Sequence, residues 1–561
     1  MRTTPHSPSH AATAAQSGRQ ACMAALLATL AATGAHATGT TGPATATVAE
    51  GALLGAMQAD GVARFLGVPY AQPPVGALRW RAPQAAAAWS GQRDATRFGA
   101  TCPQTADMFG PTSVNEDCLT LNVYAPQGAA SGTRPVLVYI HGGGFWSGSG
   151  SYYDGATLAR KTDAVVVTIN YRLGVFGFLT TSGLTAENKA VNFGLQDQYL
   201  ALSWVKRNIG AFGGDAGKVT IAGQSAGGGS VCLAMTSPLA AGLFDRGIMH
   251  SAPCTMGTTP MSKALTYGNG IATKAGCPEG AGQMACMRSK SVPELLAAAQ
   301  LTTPVEALSQ SFWPATIDGQ VIPEASLSAL AKGNFHKVPV MLGATQDEGR
   351  GLIGWGFHGI FGREVTQAEY DGAMKAFAGD LAAGLITSVY PAKKYGGVGR
   401  AISAAITDVA IACPTNNTSA ALAKAVPKYA FEFADKQTPQ FFADPFMPEG
   451  WGAYHAGDLL YIFQTPVSGL SFPGLDAAQL ALSEQMLGYW RNFMVTGNPN
   501  EGPAQGASKG PKWPRYGKGN SPVQSLKPEG IVTLADGQYA NAHKCGLWSS
   551  YYGLGAIFGM Y

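Results

Sequence analysis

Charged residues are scarce in this chain of 561 residues. Asp, Glu, Lys and Arg make up 13% of it, about half of the share of about 25% that is usual in globular proteins. The 38 basic and 34 acidic residues nearly cancel and leave a net charge of +4. So small a charge excludes an obligate nucleic-acid binder, whose surface must attract phosphates. The hydrophobic share of 46% excludes a chain that is disordered throughout.

The sequence also lacks a hydrophobic run long enough to cross a bilayer. Residues 21–32 (ACMAALLATLAA) form a short apolar run, far below the ~20 residues that a membrane-spanning helix needs. The run precedes Ala35-His36-Ala37, the small-x-small pattern at which signal peptidases cut. We therefore predict a signal peptide over residues 1–37, cut after Ala37, and a secreted or periplasmic protein without a membrane span. Residues 38–561 are predicted to form one catalytic domain.

No two cysteines follow the C-x-x-C pattern, which argues against a zinc ribbon or a thioredoxin-like redox site. Nine cysteines are present, of which Cys22 lies in the predicted signal peptide. An exported protein folds in an oxidising compartment, so we expect disulfides among the others. Cys102 and Cys118 are close enough in sequence to close a short loop, and so are Cys277 and Cys286. Spacing alone does not choose the pairs.

Apolar runs and amphipathic segments alternate along the rest of the chain. Several apolar runs lack the period-2 alternation of a half-exposed strand, as expected for a parallel sheet covered on both faces. Strands that alternate with helices predict an α/β fold with a mostly parallel central sheet. The predicted strands are 135–140, 164–169, 218–222, 246–249, 338–342 and 429–433, and the predicted helices cover 195–209 and 230–235.

The sequence Gly223-Gln224-Ser225-Ala226-Gly227 lies between a predicted strand and a predicted helix. A G-x-S-x-G set in this context is typical of a nucleophile elbow, which holds its serine on a sharp, strained turn. Small residues two positions away avoid a collision there, and the following helix directs N–H groups at the reacting oxygen. The same pattern at 506–510 lies in a polar loop without a preceding strand. Ser225 is therefore the candidate nucleophile.

A glycine-rich segment, His141-Gly142-Gly143-Gly144, directly follows a predicted strand. Glycines let a backbone approach a substrate closely and turn its N–H groups inward. An H-G-G-G segment supplies the oxyanion-hole donors of esterases and lipases. We predict a three-donor hole from the amides of Gly143, Gly144 and Ala226, with a structural role for the histidine.

A serine nucleophile of this kind needs a carboxylate and a histidine, which follow it along the chain in that order. Asp347 and Glu348 come soon after a predicted strand, and either one is suitable. His455 lies in a loop of small residues beyond the next predicted strand, where a catalytic histidine is expected. His543 remains a competitor, whereas His358 is too close in sequence to the acid to belong to a separate loop.

Five further motifs are spread over the chain: GVPYAQPP at 67–74, EDCLTLNV at 116–123, NYR at 170–172, DQ at 197–198 and FGGD at 212–215. Together with the elbow, they resemble the motifs of the type-B carboxylesterases, a family that includes cholinesterases and bacterial p-nitrobenzyl esterases. The resemblance extends from about residue 65 to residue 545. It implies an α/β-hydrolase fold with large loop and helix insertions.

The resemblance also implies the roles of individual residues. It assigns Ser225 as nucleophile, Glu348 rather than Asp347 as the acid, and His455 as the base. Ser251 matches a position whose hydroxyl supports the catalytic acid. No metal ion and no organic cofactor is implied.

Three disulfides follow from the same resemblance. They are Cys102–Cys118, Cys277–Cys286 and Cys413–Cys545. The two remaining cysteines, Cys232 beyond the elbow and Cys254 after a predicted strand, are expected to be buried thiols.

Some positions depart from the family pattern. Gln224 stands beside the nucleophile, where most members carry glutamate, and the segment 102–118 contains Phe109 but no tryptophan. Cholinesterases use that glutamate and a tryptophan to hold a quaternary ammonium group, so a choline ester is not the expected substrate. Arg350 follows the acid closely and could attract an anionic acyl group, although a solvated or salt-bridged arginine is the simpler interpretation.

We therefore predict a secreted serine carboxylesterase, most simply a monomer, that hydrolyses a small-molecule ester through an acyl-enzyme on Ser225. The alternative is a related acyl-transfer hydrolase that cleaves activated amide, carbamate or thioester bonds. A non-enzymatic interaction module is disfavoured because the residues of the triad are intact. Asn416 and Asn417 begin overlapping glycosylation sequons, whose use the sequence does not decide.

Overall fold

The computed structural model describes residues 40–107, 110–128, 132–255, 257–301, 303–309, 313–465, 470, 472–504, 509–517 and 519–548. The predicted signal peptide and Phe109 lie outside the described residues. From Thr41 onward the chain forms one compact unit. The predicted boundary at residue 37 stays a prediction.

Fifteen strands occur in the described ranges. Most are short, and the six predicted from apolar runs are among them. They are β1 (Thr40–Val48), β2 (Gly51–Gln58), β3 (Val62–Pro69), β4 (Gln92–Asp94), β5 (Thr120–Pro126), β6 (Arg134–Ile140), β7 (Val165–Ile169), β8 (Gly214–Gln224), β9 (Arg246–His250), β10 (Thr258–Pro260), β11 (Ala315–Ile317), β12 (Val340–Thr345), β13 (Lys428–Phe433), β14 (Val523–Leu526) and β15 (Val532–Leu534).

Thirteen of these strands form one mixed sheet, with the order β1-β2-β3-β5-β7-β6-β8-β9-β12-β13-β14-β15 and β4 beside β2. From β7 to β14 every neighbouring pair is parallel. The described pairs outside that block are antiparallel, except β2 with β4. Since parallel strands end at the same edge, the segments that follow β6, β8, β12 and β13 come together there. β10 and β11 form a separate parallel pair.

Helices connect and cover the parallel strands. The longest ones in the described ranges contain 23, 20 and 16 residues. The α-helices are α1 (Ala156–Thr162), α2 (Gly174–Gly177), α3 (Ser182–Glu187), α4 (Phe193–Asn208), α5 (Ala226–Thr236), α6 (Met261–Lys274), α7 (Gln283–Ser289), α8 (Val292–Ala299), α9 (Pro304–Ser309), α10 (Ser326–Lys332), α11 (Glu348–Ile353), α12 (Gly359–Phe361), α13 (Gln367–Val389), α14 (Ala392–Tyr395), α15 (Val398–Ala405), α16 (Cys413–Leu422), α17 (Leu459–Phe463), α18 (Ala477–Thr496) and α19 (Gln538–Ala542). Short 3₁₀ turns cover Gly76–Leu78, Gly150–Tyr152, Ile209–Phe212 and Pro238–Ala240, and π-helical turns cover Gly354–His358 and Ile406–Ala412.

The central strands are buried on both faces, which explains their unbroken apolar sequences. All residues of β6 and β7 are buried. Val136 and Val138 belong to a core cluster with α4 and α5, whereas Leu137 and Tyr139 belong to a second cluster with α1 and α18. Helices thus cover both faces of a mainly parallel sheet. The predicted α/β-hydrolase class is confirmed.

One predicted strand starts two residues too early. The apolar run 338–342 includes Pro339, which has no N–H to donate to a sheet ladder. β12 accordingly begins at Val340, although the carbonyl of Pro339 still accepts from the N–H of Gly247 at 3.1 Å.

The structure contains four disulfides among its described residues: Cys102–Cys118, Cys232–Cys254, Cys277–Cys286 and Cys413–Cys545. The expectation that Cys232 and Cys254 are buried thiols is wrong. Cys232 lies on α5 and Cys254 follows β9, the strand that pairs with β8. These neighbouring elements bring the two Cα atoms to 5.6 Å, within the range for a disulfide.

No helix in the described ranges is both long and apolar enough to cross a membrane. The described residues also contain no cluster of three or more His, Cys, Asp or Glu side chains with the geometry of a metal site.

Candidate active site

Ser225 lies on a sharp turn between β8 and α5. Its φ of 57° and ψ of −127° are an unusual conformation for a residue with a side chain, and its neighbours must be small to permit it. A Cβ atom on Gly227 would lie 1.9 Å from the carbonyl oxygen of Ile140 on β6. The N–H of Ser225 donates to the carbonyl of His250 at 2.9 Å, and its own carbonyl accepts from Gly229. The predicted nucleophile therefore has the geometry of an elbow.

The glycine-rich segment after β6 lies directly against this turn. A Cβ atom on Gly142 would be only 3.1 Å from Cβ of Ser225. The carbonyl of Gly143 accepts from the N–H groups of Trp146 and Ser147, and the carbonyl of Gly144 accepts from Trp313 N–H at 2.7 Å.

Unlike these carbonyls, two N–H groups of the glycine-rich segment have no hydrogen-bond acceptor within the described part of the chain. They are the N–H groups of Gly143 and Gly144. Ala226, the third predicted donor, is the first residue of α5, where helical N–H groups have no partner within the helix. The segment thus has anchored carbonyls and free donors beside Ser225.

His141, the first residue of the glycine-rich segment, holds the segment in place. Its ring is buried, stacks on Tyr171 with centroids 4.4 Å apart, and places Nδ1 2.8 Å from the carbonyl of Gly142. Burial lowers the pKa of His141 to about 4. The ring is therefore neutral near pH 7 and serves packing, the role expected for it.

Glu348 begins α11, three residues after β12 ends. The side chain is fully buried, and its Oε1 accepts from the N–H of Thr345 at 2.7 Å. Its Oε2 lies 2.5 Å from Nδ1 of His455. Of the two candidate carboxylates, Glu348 is the one that contacts the histidine.

Asp347 has a different task. Its carboxylate accepts from Lys436 and from the N–H of Ala453, and its own N–H donates to the carbonyl of Ala453 at 2.8 Å. Asp347 therefore joins the segment that carries the acid to the segment that carries His455.

The second ring nitrogen of His455 faces the elbow. Its Nε2 lies 3.0 Å from Nε2 of Gln224, the residue before Ser225. Because Nδ1–H donates to Glu348, Nε2 is the acceptor, and the Gln224 amide donates to it. No hydrogen bond joins Ser225 Oγ to His455 or to any other described side chain. The ring of Trp355 lies 6.2 Å from the imidazole, centroid to centroid.

The competing histidines are bound elsewhere. His358 contacts Asp444 and Glu364, which raise its pKa despite the opposing effect of burial. His543 lies between two other carboxylates, those of Asp408 and Glu432. Neither one contacts the elbow.

Ser251 departs from its expected role, whereas Arg350 follows the simpler of its two interpretations. Ser251 is buried, and its Oγ has no hydrogen-bond partner among the described residues, so the expected bond to Glu348 is absent. Arg350 donates to the carbonyl of Gly450 and lies 3.8 Å from Asp347 and 3.7 Å from Glu449. It is therefore a salt-bridged arginine.

The predicted glycosylation sequons lie on α16. Asn416 accepts a hydrogen bond from Tyr516 at 3.2 Å. The hydroxyls that complete the sequons are buried: Thr418 accepts from Cys254 N–H, and Ser419 accepts from Lys428.

Comparison with known proteins identifies the family of the chain. The sequence model of the carboxylesterase family matches residues 43–548. The chain belongs to the carboxylesterase family. It is 33% identical over 476 residues to the para-nitrobenzyl esterase of Bacillus subtilis (strain 168), covering 82% of this chain and 89% of that protein. It is also 33% identical over 496 residues to carboxylesterase 1D of Rattus norvegicus, covering 82% and 84%.

Solved structures give the same result. A PNB esterase superposes with a TM-score of 0.75 at 31% sequence identity, over 89% of this chain and 99% of that chain. By its family, the protein is thus a carboxylic-ester hydrolase, as the sequence predicts.

Sequence reasoning missed one contact beside the elbow. His250, the last residue of β9, places Nδ1 2.6 Å from Oδ2 of Asp458, and both side chains are almost fully buried. A histidine at the end of a predicted strand next to the elbow was the available signal, but its partner lies 208 residues further along the chain.

Proposed function

We propose that the carboxylesterase hydrolyses esters through an acyl-enzyme on Ser225. The observation that carries this proposal is the 2.5 Å contact between Glu348 Oε2 and His455 Nδ1, with the other ring nitrogen, Nε2, directed at the elbow. In the proposed reaction, Ser225 Oγ attacks the ester carbonyl and His455 Nε2 takes its proton. The imidazolium then protonates the departing alcohol, and water activated by His455 hydrolyses the acyl-enzyme.

Glu348 has an orienting and electrostatic role in this scheme. It accepts Nδ1–H and thereby leaves the lone pair of Nε2 available for the serine proton. Its fully buried carboxylate stabilises the positive imidazolium without becoming protonated itself.

At rest, Gln224 holds the nitrogen that must receive the proton. Its amide N–H donates to Nε2 of His455, so Ser225 Oγ has to replace this bond when substrate binds. Catalytic hydrogen bonds often form fully only in the substrate complex. Gln224 lies immediately before Ser225, so the exchange requires a small movement of side chains and no rearrangement of the fold.

The tetrahedral intermediate needs donors for its negative oxygen. The unpaired N–H groups of Gly143 and Gly144, with that of Ala226, are the proposed oxyanion hole. Loss of one such donor costs about 10² to 10³ in kcat. The N–H groups of Gly143 and Gly144 share their peptide planes with the carbonyls of Gly142 and Gly143. Those carbonyls are already bonded, to His141 Nδ1 and to the N–H groups of Trp146 and Ser147, which fixes the direction of both donors before substrate arrives.

We also propose that the protein is exported. The four disulfides support an oxidising compartment. N-terminal sequencing of the protein recovered outside the cytoplasm should begin at Thr38. Recovery of the intact N-terminus from the cytoplasm alone would contradict export.

The decisive experiment on catalysis is Ser225→Ala. We expect loss of ester turnover and of labelling by a fluorophosphonate probe, with an unchanged melting temperature, because the side chain donates no hydrogen bond to any described residue. Ser203 lies on α4, and among the described residues its hydroxyl bonds only the carbonyl of Tyr199. Ser203→Ala is therefore the matched control and should retain both ester turnover and labelling. Turnover by Ser225→Ala at the wild-type rate would refute the proposal. Matched ester and amide substrates, measured on the wild type, test the preference for esters.

A further inference from the structure

We propose that the buried pair of His250 and Asp458 positions the catalytic histidine relative to the nucleophile. The proposal rests on the proposed roles of Ser225 and His455. His250 Nδ1 lies 2.6 Å from Asp458 Oδ2, and the two side chains are 2% and 0% exposed. They do not touch the reacting atoms, so they are positioning residues.

One end of this connection is fixed to the nucleophile. His250 is the last residue of β9 and lies opposite Gln224 in the parallel register of β8 and β9. Its carbonyl accepts the N–H of Ser225 at 2.9 Å. A displacement of His250 therefore displaces the strained turn on which the serine stands.

The other end is fixed to the base. Asp458 follows His455 by three residues, within a tight turn in which Gly457 N–H donates to the carbonyl of Tyr454 at 2.9 Å. Ala456 adopts a φ of 68° inside this turn, a strained value for a residue with a side chain. So short and constrained a turn transmits the position of Asp458 to His455.

The segment that carries His455 is thus held on both sides. Before it, Asp347 bonds the N–H of Ala453, which fixes the segment to the acid's own loop. After it, Asp458 fixes the segment to β9 and so to the elbow. The first connection sets the contact between Glu348 and His455. The second sets the distance between His455 and Ser225, for which no direct hydrogen bond exists at rest.

No other described side chain can replace the contact that Asp458 makes with His250. Its second oxygen, Oδ1, has no hydrogen-bond partner among the described residues, so His250 is the only described side chain that holds the carboxylate. The imidazole of His250 packs against Phe431 and Trp490, with ring centroids 5.3 and 5.5 Å away. These apolar rings exclude water that would otherwise replace the lost bond.

The test compares Asp458→Ala with Asp458→Asn, which keeps an oxygen that accepts Nδ1–H of His250. Misplacement of a reacting group by about 1 Å can cost about a hundredfold in rate. We expect Asp458→Ala to lose about tenfold to a hundredfold in kcat and in the rate of fluorophosphonate labelling, with KM changed by less than about threefold. Asp458→Asn should recover most of both rates. In His250→Asn, the amide nitrogen occupies the position of Nδ1. This variant should likewise have a higher kcat and a higher rate of labelling than His250→Leu.

Asn208→Ala is the matched control for stability. Asn208 is buried and bonds Glu50 and the N–H of Ala49 near β1 and β2, remote from the elbow, so its loss should lower the melting temperature without lowering kcat. The inference would be overturned if Asp458→Ala folds and has the labelling rate and kcat of the wild type. It would also be overturned if Asp458→Asn has no higher labelling rate or kcat than Asp458→Ala. If Asp458→Ala does not fold, the comparison of His250→Asn with His250→Leu decides in the same way. Failure of the proposed function itself is distinct, because the wild type would then resist the probe or Ser225→Ala would remain active.

Discussion

Raising the pH should remove stability that His543 gives to the fold. Its Nδ1 lies 2.7 Å from Asp408 and its Nε2 2.9 Å from Glu432, in a buried site beside the disulfide Cys413–Cys545. Burial opposes the charged form of the imidazole, but the two carboxylates outweigh it and raise the pKa of His543 to about 9.

The size of the effect follows from the difference between the folded and unfolded states. A rise from the ordinary pKa of 6.5 to about 9 corresponds to about 3 kcal/mol, since one pKa unit is about 1.4 kcal/mol. The folded state holds the proton more tightly, so this stabilisation is complete below about pH 6.5 and is lost as the pH rises through about 9.

Urea unfolding of the wild type and of His543→Gln at several pH values between 6 and 10 measures this contribution. Other titrating groups are common to both proteins, so the difference between their free energies of unfolding isolates His543. We expect that difference to shrink by about 3 kcal/mol from pH 6 to pH 10. A difference that does not depend on pH would refute the reasoning.

Three other variants should change stability, one upward and two downward. Lys428 is fully buried without a carboxylate partner among the described residues, and burial holds its pKa well below the usual value. Lys428→Met should therefore raise the free energy of unfolding, by about 1–3 kcal/mol in urea titrations, and a loss of stability would contradict this. The disulfide Cys232–Cys254 spans 22 residues and Cys413–Cys545 spans 132. Replacing both cysteines by alanine should lower the free energy of unfolding by about 3 kcal/mol for the first disulfide and about 5 kcal/mol for the second. Equal losses would show that the entropy of loop closure in the unfolded chain is not the main source of the stabilisation.

The sheet was predictable from the sequence where burial on both faces leaves an unmistakable pattern. β6 and β7 are apolar at nearly every position because helices cover both of their faces. The strands β1, β2 and β4, which lie at one end of the sheet, were not predicted. Most of their described residues are at least partly exposed, and in β2 and β4 no periodicity of apolar residues distinguishes the sequence from that of a loop.

The candidate site was predictable where a local motif imposes a backbone shape. The elbow at Ser225 and the glycine-rich segment after β6 can each be recognised from a few consecutive residues, and the family resemblance decides between Asp347 and Glu348. The disulfide Cys232–Cys254 and the pair of His250 and Asp458 cannot be recognised in this way. They depend on which elements the fold places side by side, and the spacing of residues in the sequence does not show that.

The bond from Trp313 N–H to the carbonyl of Gly144 joins the oxyanion-hole segment to a part of the chain that lies far away in sequence. The N–H of Trp146 donates to the carbonyl of Gly143, which belongs to the same peptide unit as the proposed donor Gly144 N–H. The rings of these two tryptophans pack edge to face, with centroids 4.6 Å apart. Replacing either ring should therefore also disturb the peptide unit that carries a donor of the hole, and acylation should become slower.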